Sequence, residues 1–171
     1  MANQTSSLIG ANLSGNTSDA TALFALGTPA FGTGGSEWVY VSVTSTLITG
    51  ELVTINPTGT AMVLTSGRFT AFASGIDIAA AQGLINQNEN GWVARRGVGL
   101  YVLTSASLTA GTYEHGYGIG ANSGRLIAGT NVGVGNTLFG FWITSSVATA
   151  DYAPGVPTLA TISWPRMVGN G

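Results

Sequence analysis

The chain has 171 residues, a formal net charge of −2 and only 7% charged residues. It contains no lysine, and its cations (Arg68, Arg95, Arg96, Arg125 and Arg166) include one adjacent pair but no basic cluster, so nucleic-acid binding is not expected. Cysteine is absent too, which excludes disulfides and thiolate-held zinc or iron–sulfur centres.

The length suits one domain, or one domain with an arm. Twenty-six glycines among abundant Thr, Ser and Ala describe a turn-rich β protein. So uncharged a surface is poorly protected against association and fits an assembly better than a free monomer. The opening MANQTSSLIG has neither a basic segment nor an apolar stretch, so no secretory signal is expected. No apolar run reaches the roughly 20 residues of a bilayer-spanning helix, so no membrane association is expected either.

Residues 1–17 are small and polar without a period and read as an arm that orders on a partner. In Ser18–Leu26 (SDATALFAL), Ser18 is a candidate helix cap and Gly27 a candidate stop, but an extended path along a neighbour is the preferred reading. Leu23, Phe24 and Leu26 lie in this segment, and Phe31 in the Pro- and Gly-rich Thr28–Ser36 that marks the boundary between the arm, residues 1–30, and a body, residues 31–171.

In Trp38–Thr44, Val39, Val41 and Val43 share one face and Trp38 and Tyr40 the other, so the strand is expected to be covered on both sides. Strands are also expected at Glu51–Asn56 and Ala61–Thr65, with Asn56–Gly59 (NPTG) as the turn between them. Thr70–Ala81 reads as a loop, followed by a short strand near Ala80–Ile85. Asn90-Gly91 is a turn signal opening the next strand, in which Val98, Leu100 and Val102 point one way and Tyr101 and Leu103 the other. This stretch echoes Glu37–Ile55: both read aromatic-Val, a β-branched run, a Thr-Ser step, then Leu, Thr and Gly. Strands near Arg125–Ile127, Leu138–Thr144 and Leu159–Trp164 follow, the last ended by Pro165. Strands at this spacing make an all-β fold, a single barrel or sandwich with an extended N-terminal arm.

The sites of chemistry are thin. His115 is the sole histidine, the carboxylates are scattered singly, and no G-x-S-x-G occurs. The glycine-rich Gly116–Gly120 and Gly129–Gly135 lack the lysine and the following helix of a phosphate-binding loop, and read as turns. No catalytic residue, cofactor or metal is expected, and the chain does not read as an enzyme. Arg95-Arg96 is the sharpest polar feature, since neighbours on a strand point to opposite faces and a buried or subunit-facing Arg wants a carboxylate; simple exposure at a strand end is the preferred reading and intersubunit pairing the alternative.

Six segments in order carry a resemblance: LGTPAFGTGGSEWVYV (Leu26–Val41), LITGELVTI (Leu47–Ile55), NENGWVARRGVGLYVL (Asn88–Leu103), SASLTAGTYE (Ser105–Glu114), SGRLIAGT (Ser123–Thr130) and TISWPRM (Thr161–Met167). On these the chain resembles the small head decoration, or cement, proteins of tailed bacteriophages. The resemblance implies a β-barrel or β-tulip body, a homotrimer, and docking on the major capsid protein at the outside of the shell, with an arm that orders there. The implied place is the virion exterior, after synthesis in the host cytoplasm. Arg68–Ile85 departs from the pattern, so no docking residue is carried over. From the residues themselves, Leu23, Phe24, Leu26, Phe31, Arg95 and Arg96 are the interface candidates. Two other functions are carried as alternatives: another virion part such as a head-fibre base or tail component, and a carbohydrate-binding sandwich that uses exposed tryptophans.

Overall fold

Ten strands and no α-helix organise the described residues of the computed structural model, which are 11, 13, 18–64, 71–73, 84–104, 115–117, 124–128, 137–144 and 156–168. In chain order the strands are β1 (Pro29–Phe31), β2 (Glu37–Val43), β3 (Leu52–Ile55), β4 (Thr60–Val63), β5 (Ala71–Ala73), β6 (Asn90–Thr104), β7 (His115–Tyr117), β8 (Leu126–Ala128), β9 (Thr137–Ile143) and β10 (Val156–Val168). The chain is all-β and barrel-like, as its alternation and turn signals predict.

All ten strands join one sheet, ordered β1-β2-β4-β3-β5-β6-β10-β9-β7-β8, and two further pairings curl it back on itself. Because β2 also pairs with β6, the strands β2, β4, β3, β5 and β6 form a ring of pairings. Because Thr104 of β6 also meets Leu126 of β8, the strands β6, β10, β9, β7 and β8 form a second. The long β6 belongs to both. The two Trp-Val strands that echo each other in sequence are neighbours: β2 and β6 run antiparallel, with Trp38 across from Ala94 and Tyr40 across from Trp92.

Both faces of β2 are buried. Val39, Val41 and Val43 pack with Val53, Ala61, Val93, Leu47 and Ile85 on the inside of the first ring. Trp38 and Tyr40 join Trp92, Ala94, Leu100, Val102, Phe141, Ile143, Ala160 and Ile162 in a larger cluster on the other side. Fully burying each of these valines is worth about 1.5–3 kcal/mol, an upper estimate given a compact unfolded state. Leu13 is buried in the larger cluster, and Phe24 and Ala11 pack against it from outside.

The register departs from simple alternation where β6 passes from one ring to the other. Glu37 faces Arg96 while Trp38 faces Ala94, so Arg95 is an extra residue. Leu100 faces Ala160 while Gly97 faces Ile162, so a second extra residue falls at Val98–Gly99. These bulges correct the predicted grouping: Leu100 and Val102 are buried, but Val98 is 62% exposed.

Three other expectations change. The turn before β6 is made by Gln87 and Asn88, the latter at φ +63°, and Asn90-Gly91 already belongs to the strand. Part of the predicted loop at Thr70–Ala81 is a strand, β5; within the strand predicted near Ala80–Ile85, residues 80–83 lie outside the described residues and Ile85 makes an isolated bridge to Leu47. Pro165 does not end β10, which runs to Val168. It lies in the irregular interval where Ile162 faces Phe141 and Arg166 faces Phe139, a place where a missing N–H interrupts no ladder.

Candidate docking face

Residues 18–28 lie as a strap across β2 and the start of β6, without helix, and β1 continues them. The capping expectation for Ser18 gives way to a long-range contact: its hydroxyl donates to the Glu89 carboxylate. Asn86 Nδ2 donates to Glu89 at 2.9 Å and to Ser18 Oγ at 3.1 Å. These hydrogen bonds, Ser18's first, hold the Glu89 carboxyl below its ordinary range. Asp19 and Asn90 exchange backbone hydrogen bonds at 2.8 and 3.0 Å, and Asn90 Nδ2 adds a third to the Asp19 carbonyl.

Tyr40 is the centre of the fastening. Its ring is buried in β2, its hydroxyl donates to Asp19 Oδ2 at 2.6 Å, and the Tyr40 hydroxyl oxygen accepts the Leu23 N–H at 3.1 Å. Burial first, then the Asp19 hydrogen bond, push the Tyr40 phenol up to about 12, while the Leu23 N–H pulls the other way. Phe24 stands edge-on to Tyr40 with centroids 5.3 Å apart and lies tilted 5.3 Å from Trp92. Each such aromatic pair adds about 0.5–1.5 kcal/mol beyond burial.

With Phe24 turned in, the other apolar candidates of the strap and of β1 face out: Leu23 is 64%, Leu26 40% and Phe31 56% exposed. Leu26 sits at the β3–β4 turn, where a Cβ on Gly59 would come within 2.6 Å of its own Cβ. Phe31 leads into a cross-strand row, since it faces Glu37, Glu37 faces Arg96, and Arg96 faces Ser163. Phe31, Arg96 and Ser163 are exposed and Glu37 is half-buried. Arg95, at the bulge, is half-buried. Phe31 and Arg96 thus share one row, whereas Phe24 belongs to the aromatic trio beneath the strap.

Alternation alone missed several features. The Asp19–Tyr40 clasp joins residues from arm and body, and only a lone Tyr hydroxyl in the apolar run Trp38–Val41 hinted at a polar partner. Trp142 of β9 is 48% exposed, against 0% for Trp38 and 8% for Trp92. It faces Thr161, on the same outward side as the Val98 bulge.

Four carboxylates are described. Asp19 and Glu89 hold the strap, Glu51 accepts the Ile48 N–H at 3.1 Å, and Glu37 lies in the cross-strand row. Asp77, Glu114 and Asp151 lie outside the described residues. Among the described residues no three His, Asp or Glu side chains are grouped so as to hold a metal, and no helix is long and apolar enough to cross a membrane. Comparison of the chain with family models, with curated proteins and with solved structures returns no match.

Proposed function

We propose that this protein is a structural, non-enzymatic virion component that docks on the outer surface of a phage capsid, against the major capsid protein, and stabilises the shell as a homotrimer. The observation that carries the reading is the strap. Three large apolar side chains, Leu23, Leu26 and Phe31, face solvent from one short segment of a nearly chargeless protein, and that segment is fastened to the body from beneath. Exposed apolar groups in a fixed frame suit a contact with another protein. The ordered sequence resemblance supplies the partner and the three-fold state. Weak contacts by body and arm together act at high effective concentration, so each subunit adds resistance to capsomer separation without needing one tight site.

Particles lacking the protein should assemble but open at lower temperature or under milder chelator or osmotic challenge. Purified protein added back should restore resistance and saturate at many copies per shell. Binding at a handful of copies would favour a fibre-base or tail role, and no binding to the shell would end the capsid reading. A carbohydrate-binding role has one observation in its favour, the exposed Trp142 indole beside Thr161. Quenching of tryptophan fluorescence by glycans of the host surface, lost in Trp142→Ala, would establish it.

A further inference from the structure

We propose that the strap and β1, residues 18–31, are exchangeable between subunits and carry the buried Leu13 with them, so that this segment of one chain can lie along β2 of a second copy in place of that copy's own, with Leu13 in that copy's cluster. The inference does not rest on the capsid reading.

Three observations lead to it. First, the strap is held by groups that any copy offers. The Tyr40 hydroxyl, the Asn90 backbone and the Glu89–Asn86 pair receive its N-terminal half, and the Tyr40 backbone receives Gly27 and Thr28 at 2.8 and 3.0 Å. A strap from a second chain meets the same partners, so exchange leaves these contacts unchanged in kind and number. Second, β1 lies at the end of the strand order, an edge, so withdrawing it leaves the ladders of β2 with β4 and β6 in place.

Third, the connection between β1 and β2 is a natural hinge. It is a short turn closed by local hydrogen bonds, Gly32 N–H to Ser36 O at 2.9 Å and Ser36 N–H to Thr33 O at 3.3 Å. Gly34 and Gly35 are exposed at φ +67° and +71°, with no atom within 4 Å of where a Cβ would stand. Straightening at Gly34 and Gly35 therefore gives up no side-chain packing at the glycines themselves, while Ser36, buried beside Gly97, stays as the foot of the hinge. Five extended residues, Gly32 to Ser36, reach about 17 Å, so β1 can swing clear of its own β2.

The absence of cysteine makes a clean test possible. Phe31 and Glu37 are partners in the β1–β2 register. Facing Cα atoms in such a pair are about 4.5–5.5 Å apart, within reach of a disulfide. Full-length Phe31→Cys and Glu37→Cys chains are mixed, incubated at high concentration, oxidised and analysed by non-reducing gel and peptide mass spectrometry. Exchange gives a 31–37 disulfide between chains well above the half of all interchain disulfides that random pairing of equal amounts produces. Only same-position or statistical disulfides would overturn the proposal.

The second measurement needs no cysteine. Gly35→Val strains only the closed turn, because a β-branched residue resists positive φ and no neighbour is crowded. Mixed with isotope-labelled wild type and cross-linked, it should give roughly tenfold more strap-to-β2 links between chains, equivalent to about 1.4 kcal/mol on the closed form. An unchanged yield of such links would also overturn the proposal.

Discussion

The hydroxyl of Tyr40 donates to the carboxylate of Asp19 at 2.6 Å, joining the buried centre of β2 to the start of the surface strap. Tyr40→Phe removes that donor and also the acceptor of the Leu23 N–H. The expected loss is about 1–3 kcal/mol, measured by urea unfolding at neutral pH. A pH effect should accompany it. The folded phenol is raised from 10 to about 12, so the unfolded chain releases this proton first. The Tyr40 contribution is therefore whole below pH 10 and is lost as pH rises through about 12. Urea midpoints of the wild type should fall across that window by more than those of Tyr40→Phe.

Phe24 and Leu23 are neighbours with opposite expected phenotypes. Phe24→Ala gives up ring contacts to both Tyr40 and Trp92 and should cost about 1–3 kcal/mol, with faster hydrogen exchange at Asp19 and Leu23. Leu23→Ala should stay within about 0.5 kcal/mol of wild type, because that side chain is already mostly in solvent. If the strap docks on a shell, Leu23→Ala should nevertheless weaken particle binding. Equal loss of stability in the two variants would remove the distinction between anchor and docking residue.

Two glycines at positive φ separate crowding from conformation. A Cβ on Gly50, at φ +76°, would come within 3.0 Å of the backbone of Val102 and Leu103, which cannot give way without moving β6. A Cβ on Gly99, at φ +70° in the bulge, would meet nothing within 4 Å. Gly99→Ala should cost only the left-handed backbone penalty, about 1–2 kcal/mol, and Gly50→Ala clearly more. Thermal unfolding of the pair checks the ranking.

Glu51 should be a destabilising charge. Burial pushes its carboxyl above the ordinary range, more than the Ile48 N–H and the Arg125 charge pull it back. As pH rises through the unfolded value the unfolded chain ionises first, so stability falls until the raised folded value is passed. Glu51→Gln keeps an acceptor for Ile48 without the charge. It should therefore raise the melting temperature at neutral pH, by an advantage that shrinks as pH falls below the ordinary glutamate range. A lower melting temperature at pH 7 would show that the Arg125 attraction outweighs burial.

What could be read from residues alone was local. The β character, the two apolar faces of β2 and the Asn56–Gly59 turn all follow from a side-chain period of two and from turn chemistry. The pairing of β2 with β6 was foreshadowed only by their shared Trp-Val start, since a strand's pattern shows that it needs a partner and not which one. The bulges at Arg95 and Val98–Gly99, which expose Val98, arise because β6 must keep register with β2 in one ring and β10 in the other. Pro165 survives inside β10 for a related reason: the neighbouring strand, not the proline, decides where a ladder hydrogen bond is required. Leu23, Phe24, Leu26 and Phe31 were recognisable as apolar residues in a polar setting. Which of them anchors the strap and which face outward was settled by Tyr40, Trp92 and Asn90, side chains that only folding brings beside them.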